Sequence, residues 1–181
     1  MRVTAGKFKG RTLNENKFSH IRPTADMVKQ AIFNKLAFSI AGAKVLDLFC
    51  GTGALGIEAL SRGAKEVVFV DVDSRSINLT KSNLIKLNIL DNYRIIKASY
   101  DRALKMLKDY KFDIIILDPP YKAGLNEEAI RLITENDILA EDGIIVCEHE
   151  KSDTFNYFPY QVIDEKQYGI KKVSYLQIAS D

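Results

Sequence analysis

The chain has 181 residues, 46% of them hydrophobic, and a formal net charge of +2, which suits one ordinary domain with a substantial core. Its two cysteines, Cys50 and Cys147, lie inside apolar runs with no CxxC and no histidine at metal spacing, so buried reduced thiols are expected, without a disulfide or a zinc site. The start, Met1-Arg2-Val3-Thr4, lacks the apolar stretch of a signal peptide, and no run of about 18 apolar residues is present, so a cytoplasmic protein with no membrane partner is expected.

The charge is unevenly spread. Residues 1–35 hold eight Lys or Arg against Glu15 and Asp26, which gives +6 and leaves −4 for the remainder. Residues 1–21 read as a basic amino-terminal arm, with residues 2–5 and 10–13 forming a short hairpin around Gly6 and Gly10. Arg2, Lys7, Lys9 and Arg11, with Arg22 just beyond, are candidates for gripping phosphates, which supply most sequence-independent affinity for nucleic acid. On charge alone a solvated tail fits as well. Residues 22–181 form the second unit. It opens with a helix that Thr24 can cap and Pro23 enters, carrying Val28, Ala31, Ile32 and Leu36 on one face.

Apolar runs bounded by Gly, Asp or Pro then alternate with segments of helical period, which predicts an α/β chain with a parallel sheet covered on both faces. Lys44 to Phe49 is the first strand, followed by a Gly turn and a helix from about Ala54 to Arg62. Glu66 to Asp71 is the second, followed by a helix capped by Ser74 with Ile77, Leu84 and Leu87 inward. Tyr93 to Ala98 is the third and Phe112 to Leu117 the fourth, apolar almost throughout as a doubly covered strand should be. A helix at about Asn126 to Glu135 leads to the fifth, Gly143 to Cys147, ending at Glu148-His149. Strands near Tyr157 to Ile163 and Lys172 to Ile178 have no helix between them and should pair antiparallel at the edge, making seven.

Asp47-Leu48-Phe49-Cys50-Gly51-Thr52-Gly53 leaves a buried strand and opens a helix, where backbone amides can approach a ligand closely because glycine has no side chain. Asp71, ending the next strand, is placed to accept hydrogen bonds from ribose hydroxyls. Gly51-Thr52-Gly53-Ala54-Leu55-Gly56 also satisfies the dinucleotide pattern GxGxxG. Asp47 favours S-adenosylmethionine: a carboxylate there can order the loop and attract a methionine ammonium, but is poorly placed beside a pyrophosphate. Capping of loop amides by Asp47 and a solvated strand end at Asp71 are the bland alternatives. Asp47, Phe49, Gly51, Gly53 and Asp71 are therefore the cofactor-binding candidates.

Asp118-Pro119-Pro120-Tyr121 sits at the carboxyl end of the fourth strand, the edge where open α/β sheets bind ligands. Two prolines have no amide hydrogens and restrict the backbone, so carbonyl oxygens can face a cleft without competing donors. That suits an exocyclic amino group of a nucleic-acid base, whose lone pair is delocalised into the ring. The Asp118 carboxylate and Pro119 carbonyl can each accept one of its hydrogens and turn the lone pair toward a methyl sulfonium. Tyr121 offers a stacking face worth roughly 1–3 kcal/mol, and the base must be flipped, looped out or single-stranded to reach it. Asp118, Pro119, Pro120 and Tyr121 are the catalytic candidates. Alone the tetrapeptide fits a plain turn; together with the Gly turn it reads as the centre of an amino-group methyltransferase.

These residues resemble the RsmD-type 16S ribosomal RNA guanine-N2 methyltransferases. The resemblance runs nearly the length of the chain: Met1-Arg2-Val3, Ala5-Gly6-Lys7 and Gly10-Arg11; Arg22-Pro23-Thr24-Ala25-Asp26 before Ala31-Ile32-Phe33-Asn34, the most distinctive segment; Val45 to Gly53; Asp118 to Tyr121; Glu148-His149; and Tyr168-Gly169. It implies a seven-stranded class I S-adenosylmethionine-dependent methyltransferase fold, Rossmann-like, with a basic amino-terminal extension. It also implies methylation of guanine N2 at position 966 of 16S ribosomal RNA, in the small ribosomal subunit or an assembly intermediate. One position departs from the family: Ser99 stands where relatives commonly place an aspartate for the adenine amino group, a hydroxyl that can still accept that bond, with Tyr100 or Asp101 near enough in sequence to compensate. An adenine-N6 methyltransferase and a non-catalytic RNA-binding or assembly factor are the competing functions. A monomer is expected. Arg22 can equally pair with Asp26, and Glu148 either orients the pocket or simply ends a strand. His20 and His149 read as structural or solvent-facing, and Phe8, Phe18 and Phe33 as packing residues.

Overall fold

The computed structural model describes residues 1–16, 23–120, 124–154 and 156–179. In chain order the elements are α1 (Pro23–Lys35), β1 (Lys44–Asp47), α2 (Ala54–Ser61), β2 (Glu66–Asp71), α3 (Ser74–Lys86), β3 (Tyr93–Lys97), α4 (Tyr100–Met106), β4 (Phe112–Leu117), α5 (Leu125–Glu135), β5 (Leu139–Glu150), β6 (Tyr160–Tyr168) and β7 (Lys171–Ile178). They build one seven-stranded sheet in the order β3-β2-β1-β4-β5-β7-β6. The first five strands run parallel, and β7 lies antiparallel between β5 and β6.

Because successive side chains of a strand point to opposite faces, the buried strands feed two cores. Val45, Val67, Phe69, Ile114 and Ile116 pack with Ile32 and Phe33 of α1, Ile57 of α2 and Ile77 and Leu84 of α3. Leu46, Val68, Val70, Ile115 and Leu117 pack with Leu104 of α4 and Ile130 and Ile133 of α5. The sheet is thus covered on both faces, as expected. Both cysteines are buried and free. No described helix is long and apolar enough to cross a membrane.

Several local features differ from expectation: β1 stops at Asp47, short of Phe49, and β5 runs past both ends of the expected Gly143-to-Cys147 strand. α3 is capped by Asp73, whose carboxylate accepts from Arg75 N, and Ser74 is already the first helical residue. α1 begins at Pro23, so Thr24 stands inside it, not before it. α4 has no counterpart among the expected elements: it is a seven-residue helix, seated by buried Ala103 and Leu104 with Leu107 at its carboxyl-terminal cap. β6 runs to Tyr168, later than the Tyr157-to-Ile163 reading, because an edge strand exposes residues such as Glu165, Lys166 and Gln167 and shows little apolar alternation.

The arm is a docked structure. Residues 1–3 run antiparallel to 11–13 through Val3 N to Arg11 O (2.9 Å) and Leu13 N to Met1 O (2.9 Å), with Val3 and Leu13 buried in the first core. Glu58, fully buried on α2, accepts from Thr4 N (3.0 Å), Thr4 Oγ1 (2.6 Å) and Ala5 N (3.2 Å). Its charge is met by Lys29 of α1 at 3.4 Å and by Arg62 at 3.0 Å. Gly6 has φ +81°, and a Cβ there would lie 1.9 Å from the Ser61 carbonyl oxygen. Glycine is required by both the turn and the contact. On α3, Asn83 donates to Asn14 O (3.0 Å) and Thr52 O (2.9 Å), tying the arm to the Gly turn.

Candidate active site

Strand order reverses at β1: β2 and β3 lie on one side of it and β4 on the other. Ligands of open α/β sheets bind at the carboxyl edge of such a switch point. β1 and β4 are hydrogen-bonded neighbours with Asp47 opposite Ile116, so the Gly turn after β1 and the Asp-Pro-Pro segment after β4 emerge side by side. A cleft of about 1210 Å³ opens there. Its wall includes Phe49, Gly51, Asp71, Ser99, Asp118, Pro119 and Pro120 from the expected set.

Gly51 has φ +53°, and a Cβ on it would meet nothing within 4 Å, so the backbone is bare toward the cleft. The turn is held from behind. Thr80 Oγ1 donates to Gly51 O (3.0 Å), and Asp71 Oδ2 accepts from Gly51 N (2.9 Å) while its Oδ1 accepts from Asp73 N (2.9 Å). Each carboxylate oxygen of Asp71 keeps a free lone pair for a further donor. Asp47 and Gly53 stand behind the wall. Asp47 Oδ2 accepts from Gly56 N (3.0 Å), Oδ1 is buried without a hydrogen bond, and burial, reinforced by Asp71, pushes the carboxyl up to about 7 against the pull of the Gly56 amide. Gly53 caps α2 with φ +79° and lies against Thr80. These two residues shape the turn from behind.

Phe49 and Tyr100 form a tilted ring pair at 5.8 Å on the α4 side of the cleft. Tyr100 donates to Glu128 of α5 at 2.5 Å. Ser99 stands at the amino end of α4 without capping it, and its hydroxyl bonds Asp101, which holds that carboxyl below the usual range. The bare Gly51 backbone, the Asp71 acceptors and the apolar flanks of Phe49 and Val72 suit a nucleoside carrying an amino acid, the chemistry of S-adenosylmethionine.

Asp118 is partly buried one residue beyond β4, and the Pro119 carbonyl accepts no hydrogen bond from any described residue. Burial and the Glu148 carboxylate raise the Asp118 carboxyl well above the ordinary range, with Lys171 opposing them. Four further cleft residues come from elements that converge only in three dimensions. Glu148, near the end of β5, pairs through Oε1 with Lys171 of β7; Asn126 of α5 donates to Glu148 O (3.2 Å); Tyr168 ends β6. His149 is buried, bonded to Glu150 O and Ser174 Oγ at 2.9 Å each. Arg22 and Tyr121 lie outside the described residues, as do His20 and Phe18. Arg2, Lys7, Lys9 and Arg11 are exposed, but the turn bearing Lys7 and Lys9 sits by Ser61, at the far end of α2 from the cleft.

The family described as Conserved hypothetical protein 95 matches residues 1–177. The chain belongs to this family. The Ribosomal RNA small subunit methyltransferase D of Haemophilus influenzae is 39% identical over 153 residues, 83% of this chain and 79% of that one. Its Escherichia coli K12 namesake is 36% identical over 150 residues, 83% and 75% of the two chains. Among solved structures, Escherichia coli yhhF superimposes with a TM-score of 0.87 at 29% identity, covering 98% and 97%, and Haemophilus influenzae HI0767 with 0.80 at 34%, covering 99% and 98%. The fold is thus the seven-stranded Rossmann-like sheet expected from the sequence.

Proposed function

We propose that this chain is a cytoplasmic, monomeric S-adenosylmethionine-dependent methyltransferase acting on the exocyclic N2 of a guanine in small-subunit ribosomal RNA, the residue at position 966. The observation that carries the reading is the pairing of β1 with β4, which sets an acceptor-only pair, the Asp118 carboxylate and Pro119 carbonyl, beside a bare Gly turn in one cleft. The relatives named for small-subunit ribosomal RNA support the substrate class.

Bound in the turn, S-adenosylmethionine would supply a methyl group on a positively charged sulfonium. Asp71 would hold the ribose hydroxyls, Ser99 the adenine amino group through its remaining lone pairs, and Phe49 and Val72 the ring faces. Asp47 keeps its ordering role through Gly56. Asp118 and Pro119 accept the two amino hydrogens, so that the nitrogen lone pair leaves the ring plane and faces the methyl. Tyr121 stacks on the base. No prior base is needed, because the sulfonium would give up its charge as the amine gains one, and Asp118 stabilises the cationic amine until solvent takes its proton. The cations of the arm, with Arg22, hold the RNA backbone. Exposed Lys81 and Lys86 of α3, a helix with no acidic residue, extend that surface from the arm toward the cleft.

The decisive experiment is transfer of labelled methyl to unmodified small subunits, naked ribosomal RNA and DNA in parallel, with the product nucleoside identified. N2-methylguanosine from the ribosomal substrate is expected. N6-methyladenine alone would replace guanine N2 with the adenine reading, and cofactor binding without transfer to any substrate would favour the assembly-factor reading.

A further inference from the structure

Glu148 has no part in the chemistry above, yet it stands next to it. In the β4–β5 ladder Leu117 is paired with Cys147, so Asp118 and Glu148 are the next residues on two adjacent parallel strands, whose spacing is about 4.8 Å. In-register residues of parallel neighbours face the same side, so both carboxylates come to one part of the cleft wall. The Glu148 side chain is 11% exposed. Its Oε1 is taken by Lys171, its backbone carbonyl by Asn126, and its Oε2 accepts no hydrogen bond from any described residue. A residue fixed at its carboxylate by Lys171 and at its backbone by Asn126, with one carboxylate oxygen spare beside the amino-group acceptors, is a recognition element.

The edge of a guanine base presents two kinds of donor side by side, the N2 amino hydrogens and the N1 hydrogen. Adenine presents its N6 amino group beside an unprotonated N1, an acceptor. We infer, on the footing of the proposed methyl transfer, that Glu148 accepts the N1 hydrogen of the target guanine while Asp118 and Pro119 accept those of N2, so that the paired carboxylates select guanine over adenine. An adenine in the same pose would set its N1 lone pair against the Glu148 carboxylate, leaving a buried charge facing an acceptor, and such sites reject the unmatched base strongly. Lys171 is the positioning residue: its ammonium holds Oε1 and so aims the carboxylate. The other acidic groups and the histidine on this wall, Asp71 and Asp73 near the Gly turn and His149, Glu150 and Asp153 after Glu148, leave Glu148 as the acceptor in register with Asp118.

The test uses 2-aminopurine, which keeps the 2-amino group but has an unprotonated N1. Small subunits are reconstituted with ribosomal RNA carrying guanine or 2-aminopurine at the target position, and kcat/KM is measured for the parent chain and for Glu148→Gln. The parent is expected to favour guanine by roughly 10- to 100-fold, the worth of one hydrogen bond to a charged group. Glu148→Gln, which offers an N–H to the bare N1, should shrink that ratio at least tenfold, with cofactor affinity by calorimetry unchanged. A parent that methylates both bases equally overturns the inference, with no dependence on the variant's folding. So does a Glu148→Gln chain that loses the same factor on both. Failure of the parent to form N2-methylguanosine at all would instead overturn the proposed function.

Discussion

An amino-group acceptor works when ionised, yet the surroundings of Asp118 oppose ionisation: burial and the neighbouring Glu148 carboxylate both raise its carboxyl, and among the described residues Lys171 counters them. Because the protonated form loses an acceptor, the methylation rate should climb as pH rises through the raised titration. Asp118→Asn should lower kcat by about 10²-fold or more while leaving cofactor binding nearly intact, measured by single-turnover methyl transfer beside calorimetry. Loss of both together would assign the residue a structural role. Lys171→Met should move the acid limb of the rate profile to higher pH, since it removes a cation that opposes the shift. Asp47 gives a stability prediction. Its folded value near 7 exceeds the unfolded 3.8, so between those pH values the unfolded chain sheds the proton first and stability declines as pH rises. The full decline is at most about 4 kcal/mol for three pH units. Asp47→Asn should flatten it, read as urea midpoints between pH 4.5 and 7.5, and parallel curves for parent and variant would remove Asp47 as the cause.

At the level of elements, the sequence speaks where burial is two-sided and falls silent where it is not. Val67 to Val70 and Ile114 to Leu117 announce themselves as strands because each face meets a helix. The second half of β6, beyond Ile163, escapes because its exposed residues show no alternation, and α4 because two turns with only Ala103 and Leu104 buried within them carry too little periodicity to register. The cap of α3 falls one residue before the expected Ser74 because Asp73 and Ser74 are both competent, and only geometry chooses between them. The arm's docking is equally hidden, although one signal exists: Glu58 in the otherwise apolar Ala54-Leu55-Gly56-Ile57-Glu58-Ala59-Leu60 demands partners if the helix is buried. Gly6→Ala tests the docking. Its methyl would meet the Ser61 backbone in a conformation that disfavours any side chain, at a cost of about 1–3 kcal/mol. The expected result is a lower unfolding midpoint and faster proteolysis within residues 1–16, and an unchanged cleavage rate would count against the docking.

Across the whole molecule, the positions after β1, β2 and β4 could be read from spacing because a parallel sheet brings strand ends to one edge. Lys171 and Asn126 could not be singled out the same way, and Glu148 stayed split between orienting the pocket and ending a strand, since nothing in the local sequence says that β5, β6, β7 and α5 meet there. Charge follows a similar geography. Lys7 and Arg11 lie by the far ends of α2 and α3, and α3 spans about 20 Å from there to the cleft mouth. Replacing Lys7, Lys9 and Arg11 with Ala should weaken RNA binding and reduce its log–log salt slope by about 0.7 for each phosphate no longer neutralised. Lys105→Ala and Lys108→Ala, on and just beyond α4 across the sheet, should leave the slope alone. Equal slopes for all three chains would exclude the arm from the interface.

The eight residues of α2 have little freedom left. Gly56 has a Phe69 ring carbon 2.2 Å from where a Cβ would go, its amide serves Asp47, Glu58 holds the arm and Ser61 receives Gly6. Six of the eight are buried. In evolutionary terms this is where drift should be slowest, since a change acceptable to the ligand turn must also suit the arm. A saturation scan should show 54–61 nearly intolerant, while Gly10, with open space around it, is limited by its backbone angle alone.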